Sequence, residues 1–143
     1  MRFPTYKSSL YQVKANRILR EIVTRALAPF SLTATQWAIL GQLSESKDGM
    51  RLSEMAEVLG VEAPLVTTLI DQLVIKNLVE KHAHPRDKRA KLLFLTRKGQ
   101  DLLPQVEIVL DEKLRKAVLG TTPEEVLSYF KVLEVIVKNG VKK

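Results

Sequence analysis

Between His84 and Lys98 the bases Arg86, Lys88, Arg89, Lys91, Arg97 and Lys98 face a single acid, Asp87. Guanidinium and ammonium groups at that density pair with a polyanion and release its counterions; they do not make or break covalent bonds. Covalent chemistry has no comparable footing in the chain. It contains no Cys, which excludes thiol catalysis, disulfides and thiolate metal sites. No Ser-His-Asp order and no glycine-rich phosphate loop stands out, so the reading is of a protein that is not an enzyme and carries no cofactor. His82 and His84 alternate along one apparent strand. Two imidazoles fall short of the ligand set that zinc takes, and solvated strand residues are the simpler assignment, so no metal is expected.

The 143 residues carry a net charge of +7 and are 45% hydrophobic, which supports one core of useful size. The charge is unevenly placed. The first thirty residues set Arg2, Lys7, Lys14, Arg17, Arg20 and Arg25 against Glu21, whereas between Ser31 and Ile75 the acids Glu45, Asp48, Glu54, Glu57, Glu62 and Asp71 outnumber Lys47 and Arg51. A basic bias is also what a solvated face looks like, and that reading stays open for the N-terminal group. The opening Met1-Arg2-Phe3-Pro4 has no apolar leader core, and no run approaches the roughly 20 apolar residues of a membrane span. A cytoplasmic protein without membrane contact is expected.

The basic stretch needs elements that hold it. Leu10, Val13, Ile18, Ile22, Val23, Ala26 and Leu27 recur at helical spacing until Pro29 closes the run. Thr33-Ala34-Thr35-Gln36 fits a capping box that starts a second helix with Trp37, Leu40 and Leu43 inward. Met50-Arg51-Leu52 reads as a short strand, and Ser53 is expected to cap a brief third helix that buries Met55, Ala56 and Leu59. Gly60 ends it, because glycine accepts the left-handed backbone of a helix terminus. Glu62 caps a fourth helix, with Pro64 in its first turn and Val66, Leu69, Ile70 and Leu73 on its inner face, ending near Asn77.

A helix pair of this kind is a weak signal until the continuation is read. Leu78-Val79-Glu80-Lys81-His82 and Lys91-Leu92-Leu93-Phe94-Leu95 have strand character, with Pro85-Arg86-Asp87-Lys88 as the loop between them. The unit is a winged helix-turn-helix. Thr96 caps a fifth helix, in which Pro104 removes a backbone donor and should bend the axis. Thr122-Pro123-Glu124-Glu125 starts a sixth, expected to bury Val126, Leu127, Phe130, Leu133 and Val137. The fold class is mainly α (α+β), with a three-stranded sheet and added N- and C-terminal helices. One domain spans 1–143, with the winged core at about 32–98 and flanking helices at about 5–28 and 97–140. Their stripes exceed what the small winged unit covers, which argues for a homodimer built from both chain ends; folding back over their own winged unit is the competing arrangement.

Leu32-Thr33-Ala34-Thr35-Gln36-Trp37-Ala38-Ile39-Leu40, Leu52-Ser53-Glu54-Met55-Ala56 and Asp87-Lys88-Arg89-Ala90-Lys91-Leu92 through Leu95-Thr96-Arg97-Lys98-Gly99 resemble the MarR family of bacterial regulators. Gly60-Val61-Glu62-Ala63-Pro64 and Asp71-Gln72-Leu73 look closest to its SlyA branch. The resemblance implies a homodimeric transcriptional regulator of double-stranded DNA, often a repressor that releases its operator when a small anionic or phenolic effector binds.

On that reading the fourth helix enters the major groove, with Pro64, Leu65, Thr67 and Thr68 at base edges or flanking phosphates. The family commonly has arginine where this chain has Thr68, so contact with thymine methyls through Leu65 or Thr67 replaces bidentate guanine reading. Asp71 would be repelled by phosphate and is expected to pair, for instance with a wing arginine. Arg86 and Lys88 at the wing tip reach the minor groove, Arg89 braces the wing against Asp87, and Arg51, Arg97 and Lys98 touch phosphates. Ser53 either donates to a phosphate or only caps its helix. An effector pocket is expected where the first, second and fifth helices meet, lined by Tyr11, Arg17, Arg20 and Trp37; Trp37 as ordinary core, and the arginines as partners of acids such as Asp101, are the other readings. The competing function is a winged-helix protein-interaction module that lacks specific DNA binding.

Overall fold

Capping chemistry sets most of the element boundaries in the computed structural model, which describes residues 1–140; the last three residues of the expected 1–143 domain lie outside the described residues. The elements are α1 (Thr5–Leu27), a short 3-10 turn (Ala28–Phe30), α2 (Ala34–Ser44), β1 (Met50–Arg51), α3 (Leu52–Leu59), α4 (Ala63–Ile75), β2 (Val79–Ala83), β3 (Lys91–Leu95), α5 (Arg97–Ala117) and α6 (Pro123–Gly140). At α2 the Gln36 backbone N–H donates to Thr33 Oγ1 at 3.1 Å while Thr33 N–H donates to Gln36 Oε1 at 3.1 Å. Thr122 and Glu125 form the same reciprocal pair at the start of α6, at 2.8 and 3.2 Å. Each pair satisfies two backbone donors that a helix start otherwise leaves orphaned.

Two expected caps differ. α3 begins two residues earlier than Ser53 implied, with Arg51 at the cap position and no side-chain bond there. β1 runs directly into α3 without a loop, so the strand fixes where the helix starts and Ser53 lies exposed in its first turn. Glu62 does occupy the cap position of α4, but its carboxylate makes no capping bond.

The sheet order is β1-β3-β2, antiparallel throughout, with Met50 opposite Leu93 and Val79 opposite Leu95. Alternation along the strands turns Met50, Val79, Leu93 and Leu95 inward onto the core of Ile39, Leu40, Met55, Val66, Ile70 and Leu73. Gln36, only 2% exposed, lies within this core. Its amide donates to Gln72 Oε1 at 2.9 Å, tying α2 to α4 and satisfying a polar group that would be costly to bury alone. α3 and α4 turn by 111° across their break, within the range of a helix-turn-helix. Gly60, with φ +65°, supplies the left-handed residue that turn requires.

α5 leaves the sheet through a tight joint. Asn77 takes a left-handed backbone at φ 59°, and its carbonyl accepts from Thr96 Oγ1 at 2.6 Å while Thr96 N–H donates to Leu78 O at 3.1 Å. Thr96 Oγ1 also accepts from Gly99 N–H at 3.0 Å as the cap of α5. α5 runs unbroken through Pro104 and buries Val106 and Leu110. Along its exposed side, a hydrogen bond from Arg115 to Asp111 and the attraction between their charges raise the guanidinium above its ordinary value.

α6 departs from expectation. Its apolar residues do not bury: no α6 side chain is buried, Val126 is half-covered, and Phe130 is 56% exposed with Leu127, Leu133 and Val137 also in the open. The helix does not fold back over the winged unit. Sequence periodicity located the stripe; of the two covers it left open, the same chain does not supply one for α6. Among the described residues no single helix is long and apolar enough to cross a membrane.

The joint between sheet and α5 is testable at Gly99, where an added Cβ would stand 2.4 Å from Leu78 O and 3.1 Å from a Leu95 methyl. Backbone cannot yield there as a flexible side chain would. Gly99→Ala should therefore destabilise the chain by about 2 kcal/mol. A urea titration at fixed protein concentration checks this; an unchanged midpoint would contradict the close approach.

Candidate nucleic-acid interface

Two contacts, Asp71 with Lys81 and Arg51 with His84, tie the expected DNA-facing elements to the sheet and the wing. The exposed face of α4 carries Pro64, Leu65, Thr68 and Asp71, with Thr67 half-covered beside them. Asp71 accepts from the Lys81 ammonium on β2, so the anticipated pairing exists, but with a strand lysine and not a wing arginine. Lys81 stands opposite Leu93 in the sheet, on the strand that leads into the wing, and so meets α4 across a short gap that a wing-tip arginine does not occupy. At the other side of the sheet Arg51 Nη2 lies 3.1 Å from His84 Nε2. That contact fastens the base of the wing to the start of α3.

The wing itself is a closed loop. His84 N–H donates to Ala90 O, Ala90 N–H donates to Asp87 O, and Arg86 N–H donates to His84 Nδ1, each at 3.1 Å. Asp87 does brace Arg89, though through the Arg89 backbone N–H at 3.0 Å and not through its guanidinium. The side chains of Arg86, Lys88 and Arg89 stand exposed, and none of them is in an ion pair among the described residues. Unpaired cations on a fixed loop keep their full charge available to an approaching phosphate.

Arg97 and Lys98 are engaged within the chain. Arg97 bonds Asp101 at 3.3 Å on α5, and Lys98 Nζ donates to Lys76 O at 3.0 Å, where a cation favours the C-terminal end of α4. Lys76 in turn donates to Ser31 O. On α4 the Thr67 hydroxyl donates to Ala63 O at 3.1 Å and the Thr68 hydroxyl to Pro64 O at 3.2 Å. With their protons so used, both present methyl groups and acceptor lone pairs, a surface that suits thymine methyls and base amino groups.

His84 and Lys81 are the residues that inspection of the sequence missed. His84 read as a solvated strand residue; both its ring nitrogens instead meet donors, from Arg86 and from Arg51. A neutral imidazole has one acceptor nitrogen and takes one of them at a time, while a protonated ring takes neither. Nothing in the spacing of His84 and Arg51, 33 residues apart, signals that contact. His82 packs edge-on against Phe94 at 5.0 Å and lies 3.4 Å from Glu80. No group of three or more metal-ligating side chains occurs among the described residues.

The expected effector residues separate. A cavity of about 470 Å³ opens between α2 and α5, and Trp37 lines it. Trp37 also packs half-buried against the core. Tyr11, Arg17 and Arg20 lie exposed on α1 and are not among the lining residues. α1 packs on α5 with its C-terminal turns, where Ala26 and Leu27 bury, leaving its N-terminal half in solvent.

The MarR family model matches residues 32–91, from the end of the first connection through the wing to the start of β3. AbsC, a MarR family transcriptional regulator from Streptomyces coelicolor, is 25% identical over 100% of both chains with a TM-score of 0.85. Over its winged core this chain is similar to the MarR family. A MarR variant from E. coli complexed with operator DNA is 24% identical and covers 90% of this chain and 91% of its own, with a TM-score of 0.78. CouR from Rhodococcus jostii RHA1, bound to p-coumaroyl-CoA, is 22% identical over 90% of both chains with a TM-score of 0.80. These likenesses confirm the winged fold with its added terminal helices.

The wing-root contact gives a direct test. His84→Ala should leave the melting temperature unchanged, because the ring makes no core contact, yet free the loop from α3. Trypsin should then cut at the wing bases roughly threefold faster, as local opening becomes easier. An unaltered cleavage rate would show that His84 does not restrain the wing.

Proposed function

We propose that this chain is a MarR-family, sequence-specific regulator of transcription that binds double-stranded DNA as a homodimer. The observation that carries the reading is the convergence of exposed α4, Arg51 and an unpaired basic wing on one face. Pro64, Leu65, Thr67 and Thr68 read base edges in the major groove, and Ser53 and Arg51 hold the phosphates that flank it. Arg86, Lys88 and Arg89 reach the adjoining minor groove. Arg97 and Lys98 add phosphate contacts by exchanging their internal partners. Occupying an operator in this way blocks access to it, so the regulator acts as a repressor. The solved complex of the E. coli relative with operator DNA supports the same use of the fold.

The dimer follows from surface. One chain exposes 11037 Å², against about 7,500 Å² expected for a compact monomer of its mass. The excess is concentrated on apolar positions of α1 and α6, among them Leu10, Leu127, Phe130 and Ile136. A second copy covers that surface with an isologous interface and sets two winged units side by side for an operator with two-fold pseudo-symmetry. A small-molecule effector entering the cavity between α2 and α5 would shift the spacing of those units, since α5 connects each wing to the dimer arms. The binding of p-coumaroyl-CoA by CouR supports a small-molecule effector.

Two measurements test these parts separately. Replacing Arg86 and Lys88 with Ala should weaken binding of a duplex and lower the slope of log affinity against log salt by about one unit for each base removed. Fluorescence anisotropy across a salt series reads both; an unchanged slope would remove the wing from the interface, and absent low-salt binding by the parent chain would favour a protein-interaction module. Phe130→Glu should raise the dimer dissociation constant by about a hundredfold or more, since it places an unpaired charge in the seam. Sedimentation equilibrium checks that, and a dimer of parent stability would exclude α6 from the interface.

A further inference from the structure

We infer that the cavity between α2 and α5 is built for an organic cation with an apolar body, and not for the anionic ligand that the arginines of α1 suggested. The inference rests on the effector reading of that cavity and extends it to the chemistry of the occupant. Its walls are Trp37, Leu103 and Pro104, and its charged lining consists of Glu45 and Glu107. No cationic side chain lines it, and neither carboxylate is in an ion pair among the described residues. Carboxylates with no resident cation, set beside apolar wall, attract a positive charge and repel a negative one. Trp37 contributes an indole, the ring that attracts cations most strongly.

The neutral polar groups of the lining point to the same ligand. Ser44 Oγ donates its proton to Gly41 O at 2.6 Å, so the cavity meets its lone pairs. An adjoining hollow of about 630 Å³ shares Ser44, Leu103 and Pro104 and adds Ser46 and Gln100. Ser46 Oγ donates to Gln42 O at 3.0 Å and is an acceptor there for the same reason. Pro104 has no backbone N–H, which leaves the Gln100 carbonyl without its helical donor. Lys47 lines the second hollow and not the first. A body of hydrocarbon with one ammonium head would seat its chain against Leu103 and Pro104 and its head between the acceptors.

The chain as a whole carries a net charge of +7 and draws anions, so any preference for a cation must arise locally. Trp37 is the only tryptophan and reports on its own site. Octylammonium, octanol and octanoate share one apolar body and differ in charge; each is titrated into the full chain below its micelle concentration while Trp37 fluorescence is followed. Octylammonium should half-saturate the signal at a concentration about tenfold below that of octanoate, with octanol between them. The exposed pair Glu45→Gln and Glu107→Gln should bring octylammonium to the octanol value while leaving octanol unchanged. Octanoate binding as tightly as octylammonium, a flat signal with the cation, or a preference that survives the double substitution would each overturn the assignment. Duplex binding by the same preparations, measured without ligand, stands or falls on its own and separates failure of this inference from failure of the regulator reading.

Discussion

An 18-residue helix that buries none of its side chains is the constraint on which the rest depends. Apolar surface in water costs roughly 25 cal/mol per Å², and α6 presents Leu127, Phe130, Leu133, Ile136 and Val137 to solvent. The winged unit cannot relieve this, because its own core is already closed around Ile39, Met55, Ile70 and Leu93. A single chain therefore leaves its arms uncovered. In the proposed homodimer a second copy would cover them and, by the same act, set the distance between two winged units.

The reading head is made rigid by few polar contacts in well-chosen places. Gln36 and Gln72 lock α2 to α4 from within. Asp71 and Lys81 lock α4 to the sheet, and Arg51 and His84 lock the wing to α3. Asn77 and Thr96 join the sheet to α5. Each bond crosses an element boundary, so the wing, α4, the sheet and α5 are tied to one another. The exposed pair of Asp71 and Lys81 adds little to stability by itself and serves to hold α4 against β2.

Much of this was legible in the residues, and the boundary of legibility has a physical cause. Thr33 with Gln36, Thr96 ahead of Gly99, and Thr122 with Glu125 are bonds between residues three apart, and local spacing announces them. Gly60 announces its turn through its backbone freedom. The strand register follows from alternation once the wing is recognised. Contacts between distant segments are not announced: Gln36 and Gln72 are 36 residues apart, and the choice of Lys81 over a wing arginine for Asp71 depends on the sheet's position against α4. The start of α3 at Leu52 depends on β1 entering it directly, which outweighs the capping preference of Ser53. Periodicity likewise identified the face of α6 but contains no information about which molecule covers it.

The central claim is that two identical reading heads, held at a fixed spacing, engage successive turns of one duplex. The most direct test is to select oligonucleotides bound by the full chain from a randomised duplex pool and sequence them. The account predicts an inverted repeat whose half-sites are centred about one helical turn, roughly 10 base pairs, apart. Enrichment of a single unrepeated half-site, or of no sequence at all, would contradict it.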